Sequence, residues 1–231
     1  MIRRAIVAII IIVMFLAACY AAALPFAAEL RVSGAGSLEA SGRLDSAMKA
    51  YRQALGLDPL NARYYGELGR LYLKKTRGVA DTGLRQAARD AYARAIELNP
   101  ADPRYRIGWA EAEALLLMQK GAFSDGELAH YVENLRKAVE LAPNNYYVNA
   151  AAGYYILIFR KKISSGDRNF AIYRMRYSLD LNPGYANEVF SYVANGLGDF
   201  NLLYKITPRT PAWQTALRNF LRNIDHYKYR K

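Results

Sequence analysis

The sequence predicts an all-α fold, a solenoid of helical hairpins, and three observations support this. Four predicted helices end at a proline, and these prolines, spaced 41, 43 and 40 residues apart, are Pro59, Pro100, Pro143 and Pro183. Alanine and tyrosine recur at helical spacing before the first two prolines. The sequence shows no strand pattern. A fixed period of this length is typical of helical arrays, whose units bury their apolar faces only by stacking.

The second helix of each unit is predicted from the residues that precede its proline. The stripes in the first two units are Ala47, Tyr51 and Ala54, then Ala88, Tyr92 and Ala95. Small and large residues on one stripe let two helices approach closely. Gly42 and Gly83 each precede a stripe by five residues. We expect both to form the turn into the helix, because glycine adopts positive φ without strain.

The first helix of the second unit carries the clearest motif. The segment Tyr65-x-x-Leu68-Gly69-x-x-Tyr72 resembles the first-helix signature of the tetratricopeptide repeat (TPR) family. The resemblance covers roughly residues 30–200 and implies a right-handed solenoid of about four to five repeats. These units exceed the family's 34 residues by about 7, 9 and 6. We place the extra residues in loops between paired helices, at 74–82, 119–125 and 160–165.

The two ends of the chain are expected to differ from the repeats. We divide the chain into an amino-terminal anchor or signal sequence (1–29), a solenoid (30–208), and a capping helix with a basic tail (209–231). The first helix of the first repeat is predicted to be weak, because residues 33–37 are Ser/Gly-rich. Gly198 is expected to form a turn. The last helix should begin near Pro211 and cap the stack with an apolar stripe from Trp213 to Ile224.

The amino terminus contains an uncharged run of 24 residues after Arg3 and Arg4. This run is long enough to span a membrane, and we expect Pro25 to bend or end its helix. Three fates are open: a retained signal anchor, a leader removed after 21–23 or 27–28, or a lipoprotein modified at Cys19 within the lipobox-like sequence Leu16-Ala-Ala-Cys19. Each fate places the repeats in the periplasm or outside a bacterial cell, and the retained anchor makes a single-pass membrane protein.

Charge and chemistry point to a binding protein. The net charge is +12, and residues 160–231 contain thirteen Lys plus Arg against five Asp plus Glu. This basic region suits an anionic lipid or polymer, whereas nucleic acid is not expected outside the cytoplasm. His130 and His226 lie far apart, and no metal or nucleotide motif is present. We expect no enzyme activity, no metal and no cofactor.

The family resemblance implies a groove lined by the first helices, which holds an extended peptide or a partner helix. Transferred by register, the groove residues of the second repeat are Arg63, Glu67, Arg70 and Lys74. Those of the fourth repeat are Tyr147, Tyr154, Leu157 and Ile158, although the tyrosines could equally be packing residues. Such a groove favours a ligand with carboxylates and apolar anchors.

The predicted function is a membrane-tethered adaptor that binds a protein or peptide of the cell envelope. Residues 198–208 look similar to the ends of repeat arrays in bacterial surface-polysaccharide systems, which suggests export or assembly of such a polymer. Two alternatives stay open. One is an outer-membrane lipoprotein that assists assembly, and the other is the regulatory subunit of an envelope enzyme complex.

Overall fold

The computed structural model describes residues 2–228, with side chains from residue 10 to residue 224 except at 17 and 21. This part of the chain is helical and contains no strand. The helices are α1 (Ile2–Val32), α2 (Ala35–Ala40), α3 (Leu44–Leu57), α4 (Ala62–Lys75), α5 (Thr82–Leu98), α6 (Pro103–Lys120), α7 (Asp125–Leu141), α8 (Tyr146–Ile158), α9 (Ser165–Leu181), α10 (Ala186–Ser191), α11 (Phe200–Ile206) and α12 (Pro211–Lys228). The predicted all-α class is confirmed.

The chain divides into two compact units, residues 1–100 and residues 101–231. In the first, α4 packs against α3 and α5, while α1 and α2 pack against α3. In the second, α6 to α9 pack as neighbouring helices, and α10 to α12 follow them. The core of the second unit includes fully buried Tyr131, Met175 and Phe190.

The four prolines end their helices as predicted. The helices α3, α5, α7 and α9 each stop two residues before the proline. The intervening residue always leaves the helical conformation, with φ between −133° and −146°, at Asp58, Asn99, Ala142 and Asn182. The proline ring disfavours the helical conformation at the residue before it, and it has no N–H to continue the helix. The same local effect of proline therefore ends one helix in each repeat, and the spacing of the four prolines sets the period.

The three predicted loops lie between paired helices, at 76–81, 121–124 and 159–164. Each following helix has a side-chain N-cap, with Asp81 accepting from the Leu84 N–H, Ser124 from Glu127 and Ser164 from Asp167. The cap at Ser124 is a complete capping box. These caps satisfy donors that a helix start leaves unpaired and so fix where the loop ends.

One of the two predicted glycine turns is wrong. Gly42 has a φ of +76° and precedes α3, as expected. Gly83 lies inside the first turn of α5 and has no positive φ. Gly78 instead supplies the left-handed residue of that loop, with a φ of +86°. The capping Asp81 sets the start of α5, so the helix begins before Gly83 is reached.

The amino-terminal helix continues beyond the apolar run. Pro25 does not end α1, which extends to Val32 and crosses the expected boundary at residue 29. Ala28 and Val32 are buried in the first unit. The last turns of α1, together with short α2, therefore take the place of the weak first helix of the first repeat.

The carboxyl-terminal elements follow the prediction closely. Residues 183–197 form a 3-10 turn, the short α10 and a π-helical turn (Tyr192–Leu197), after which Gly198 has a φ of +63°. The apolar stripe of α12 faces inward, with Leu217 and Phe220 buried. The predicted basic tail lies at the end of the described residues: the backbone of 229–231 and the side chains of His226 and Lys228 fall outside them.

Candidate partner-binding site

The predicted groove residues of the first unit form an ion-pair network. Arg70 donates to both carboxylate oxygens of Glu39 at 2.6 Å and to Glu67 at 2.8 Å. Lys74 donates to Glu39 at 2.9 Å. Arg63 donates to Glu29 of α1, which also accepts from the Tyr64 hydroxyl at 2.9 Å. Three cations of α4, Arg63, Arg70 and Lys74, are thus bound by carboxylates of α1 and α2.

The network has a clear electrostatic signature. Hydrogen bonds from Arg70 and Lys74 lower the pKa of Glu39 to about 2. The hydrogen bond to Glu39 in turn raises the pKa of Arg70. An incoming carboxylate would have to displace a bidentate intramolecular partner before it reached Arg70. Sequence spacing identified these cations but not Glu39, whose position depends on the break between α1 and α2.

The tyrosines of the second unit form a continuous aromatic cluster. Tyr154 contacts Tyr155 and Tyr192, with ring centroids 5.2 and 5.1 Å apart. Tyr185 lies 5.0 Å from Tyr146 by the same measure, and its hydroxyl lies 3.0 Å from that of Tyr192. Burial and the hydrogen bond to Tyr192 raise the pKa of Tyr185. The Tyr185 phenol is therefore neutral over the whole physiological range.

A cavity of about 310 Å³ opens beside this cluster in the second unit. It is lined by Glu111, Ala114, Leu115, Met118, Tyr154, Tyr155, Ile158, Arg160, Gly196 and Leu197. Met118 is 59% exposed, which is unusual for a large apolar side chain. We call this the tyrosine groove.

One carboxylate sets the electrostatics of the tyrosine groove. Glu111 accepts a hydrogen bond from Tyr155. Burial is the main reason that the pKa values of Tyr147, Tyr154 and Tyr155 are raised, and the Glu111 charge adds to each. The groove thus combines apolar surface, aromatic faces and the negative charge of Glu111, while the cation in its lining, Arg160, is paired with Asp199.

The far wall of the groove is the π-helical turn, Tyr192–Leu197. A Cβ on Gly196 would lie 2.7 Å from the Tyr154 hydroxyl oxygen, so a larger residue here would require the Tyr154 side chain to move. Arg160 holds the turn in place by donating to the Leu197 carbonyl at 3.0 Å and pairing with Asp199 at 3.3 Å. In the sequence, Gly196 and the nearby tyrosines were the features that could have indicated this wall.

The structure separates the predicted groove residues of the fourth repeat. Tyr154 and Ile158 line the groove, and Tyr147 is 43% exposed. Leu157 is buried in the core at 1% exposure and presents almost no surface to a ligand there. Met118, Glu111 and Tyr192 were not predicted as site residues. Sequence register locates the helix but does not determine which of its faces the π-helical turn covers.

The structure also gives the positions of the other candidate features named from the sequence. Cys19 is an exposed free cysteine on α1. His130 stacks edge-on against Trp109, with ring centroids 5.5 Å apart. Among the described residues no group of three or more His, Cys, Asp or Glu side chains is arranged to hold a metal. The stretch Ile10–Ala40 is long and apolar enough by length and composition to cross a membrane.

Paired helices and an open groove define the class as a helical-repeat protein. Residues 38–75 match the family model described as TPR repeat. The fold is similar to the crystal structure of TTC0263, a TPR protein of Thermus thermophilus, at 19% identity and a TM-score of 0.59, covering 84% of this chain and 98% of that one. It is also similar to MamA, at 17% identity and a TM-score of 0.53, covering 78% and 89%. The predicted TPR fold is confirmed.

The sequence comparison with curated proteins found no match. At these identities the structural likenesses define the fold and leave the ligand to be argued from this chain's own residues.

Proposed function

We propose that this protein is a membrane-tethered, extracytoplasmic adaptor that binds a partner protein or peptide through the tyrosine groove. The observation that carries the proposal is the tyrosine groove itself, where exposed Met118 and half-buried Tyr154 flank a cavity. Aromatic and methionine side chains supply large contact area at low entropic cost and are enriched in protein interfaces. The TPR fold supports the same class of function.

The preferred ligand is a segment with an apolar anchor next to a lysine or arginine. The anchor would enter between Met118 and Tyr154, while the cation would lie near Glu111 and the tyrosine faces. Tyrosine faces attract cations, and Glu111 adds a full negative charge. Carboxylate recognition by Arg63, Glu67, Arg70 and Lys74 stays a prediction, but their internal pairing with Glu29 and Glu39 weighs against it.

For α1 we propose a retained membrane anchor. Its apolar side chains from Ile10 to Leu16 are more than half exposed, as are Tyr20 and Phe26. The base of the same helix is packed, with Ala28 fully buried. Cleavage after Ala28 would cut the helix inside the first unit, whereas cleavage after Ala23 or lipidation of Cys19 would leave the packed turns intact. A fatty-acid label lost on Cys19→Ala would favour the lipoprotein.

The basic region 160–231 supports a second contact, with an anionic lipid or polymer. The pathway suggested by residues 198–208, export or assembly of a surface polysaccharide, remains part of the proposal. So do the alternatives of an assembly lipoprotein and a regulatory subunit of an envelope enzyme, since both would use the same groove. Identification of the partner protein would distinguish these alternatives.

A pair of charge variants tests the groove. Met118→Glu places a carboxylate at its exposed rim, and Leu60→Glu introduces the same change at a site in the first unit that is 70% exposed. We expect co-purification of the envelope partner to fall at least tenfold in Met118→Glu, because the new charge opposes apolar docking beside Glu111. Leu60→Glu should retain the partner. Equal retention by both variants would refute the tyrosine groove as the binding surface.

A further inference from the structure

A second cavity of the second unit lies between α9, α11 and the loop after α8. Its volume is about 250 Å³, and it is lined by Leu157, Arg160, Lys161, Arg168, Ile172, Asp199, Leu202 and Lys205. We call it the basic pocket. Four of its eight lining residues are cations and one is an acid, so its net charge is strongly positive.

The carboxylate in the lining of the basic pocket already has an ion-pair partner. Asp199 pairs with Arg160 at 3.3 Å, and Arg160 also donates to the Leu197 carbonyl. Within residues 10–224 no ion pair joins a carboxylate to Lys161, Arg168 or Lys205. All three residues are exposed. Three cations from three separate segments therefore converge on one concavity without a counter-charge. This contrasts with Arg70 and Lys74, which share Glu39.

The fixed geometry makes the pocket more than a scattered basic surface. Arg160 ties α8 to the turn before α11. Arg176 of α9 donates to the Lys205 carbonyl and so ties α9 to α11. The elements carrying Lys161, Arg168 and Lys205 are thereby joined around the cavity, which reduces the entropy cost of gathering like charges around an anion.

We propose that the basic pocket binds a phosphate group that carries an apolar substituent. A phosphate presents several charged oxygens to separate donors, whereas a single arginine guanidinium can pair with both oxygens of a carboxylate. Ile172 contributes an apolar surface beside the cations, and buried Leu157 and Leu202 back it. This chemistry is shared by a soluble alkyl or isoprenoid phosphate and by a lipid headgroup. The site deepens the proposed anionic contact of region 160–231. It shares Arg160 with the tyrosine groove and none of the other lining residues.

The test measures binding of two probes, inorganic phosphate and hexyl phosphate, to the full chain in a non-ionic detergent by isothermal titration calorimetry. Both probes should bind, and hexyl phosphate should bind several-fold more tightly because of the apolar wall. Lys161→Gln and Lys205→Gln should each weaken binding by roughly tenfold. Lys162→Gln is the matched control, because Lys162 is the adjacent residue and lies over the Phe123 ring, 4.3 Å from its centroid.

The outcomes test the chemistry of the ligand and keep the two proposals apart. Stronger binding of hexyl phosphate supports the proposal if Lys161→Gln weakens binding and Lys162→Gln does not. Equal affinity for both probes would overturn the apolar substituent. Absence of binding, or equal weakening by both variants, would overturn the site. Met118→Glu should leave phosphate affinity unchanged, so a failure of the groove is not mistaken for a failure of the pocket.

Discussion

The two units of this protein use charge in opposite ways. In the first unit, the cations of α4 are matched by carboxylates from α1, α2 and α3, with Glu39 contacting both Arg70 and Lys74. In the second unit, Lys161, Arg168 and Lys205 surround a pocket whose one acid is paired with Arg160. A basic run in the sequence therefore indicates a ligand surface only where the fold supplies no internal partner.

Close helix packing differs between the units as well. A Cβ on Gly69 of the first unit would lie 2.9 Å from the Tyr92 ring, and one on Gly153 of the second would lie 2.4 Å from Met175 Cγ and 2.7 Å from the Ala171 carbonyl oxygen. A ring can shift by a few tenths of an ångström. A helix carbonyl moves only with its whole helix.

The largest expected effect comes from Gly153→Ala. Overpacking against α9 should cost about 3 kcal/mol and outweigh the gain of about 1 kcal/mol from better helix propensity. We therefore expect a net loss of about 2 kcal/mol, seen as a lower Tm by circular dichroism in detergent. Gly69→Ala, the matched change, should cost less than about 1 kcal/mol. A larger loss of stability in Gly69→Ala than in Gly153→Ala would contradict this comparison of the two units.

A smaller effect is expected when the acid of the first unit is neutralised. Glu39→Gln removes the partner of Arg70 and Lys74 and should lower the free energy of unfolding by about 1 kcal/mol at pH 7, since the pairs are partly exposed. Glu133→Gln is the control, because its pair with Lys137 is long, at 3.7 Å, and exposed. Its unfolding should not change measurably.

The same substitution has a pH dependence of known sign. The folded pKa of Glu39 is lowered to about 2, below its ordinary value of 4.5. Its stabilisation is thus fully present above pH 4.5 and is lost as the pH falls toward 2. The difference between the wild-type protein and Glu39→Gln should shrink over that interval in denaturant titrations. A difference that grew on acidification would contradict the assigned ion pairs.

The sequence supported the fold far better than it supported the site. The spacing of Pro59, Pro100, Pro143 and Pro183 was sufficient to place four helix ends, because the effect of proline on its preceding residue is local. The extension of α1 past Pro25 was not predictable in this way, since it depends on burial of Ala28 and Val32 in the first unit.

The site depended on contacts between residues distant in the sequence. Register identified Tyr154 but missed Met118, which lies 36 residues earlier and lines the same cavity. It also missed the pairing of Arg70 with Glu39, which is 31 residues away. The π-helical turn at 192–197 has no reliable sequence signal, and yet it forms one wall of the tyrosine groove.

The most direct test of the account is site-specific photo-crosslinking in cells, with the crosslinker placed at Met118 or at Arg63. Both side chains are more than half exposed, so accessibility does not bias the comparison. The account predicts a discrete partner adduct from Met118 that weakens when Tyr154 is replaced by alanine, and no discrete adduct from Arg63. A discrete adduct from Arg63 with none from Met118 would contradict it and move the binding surface to the first unit.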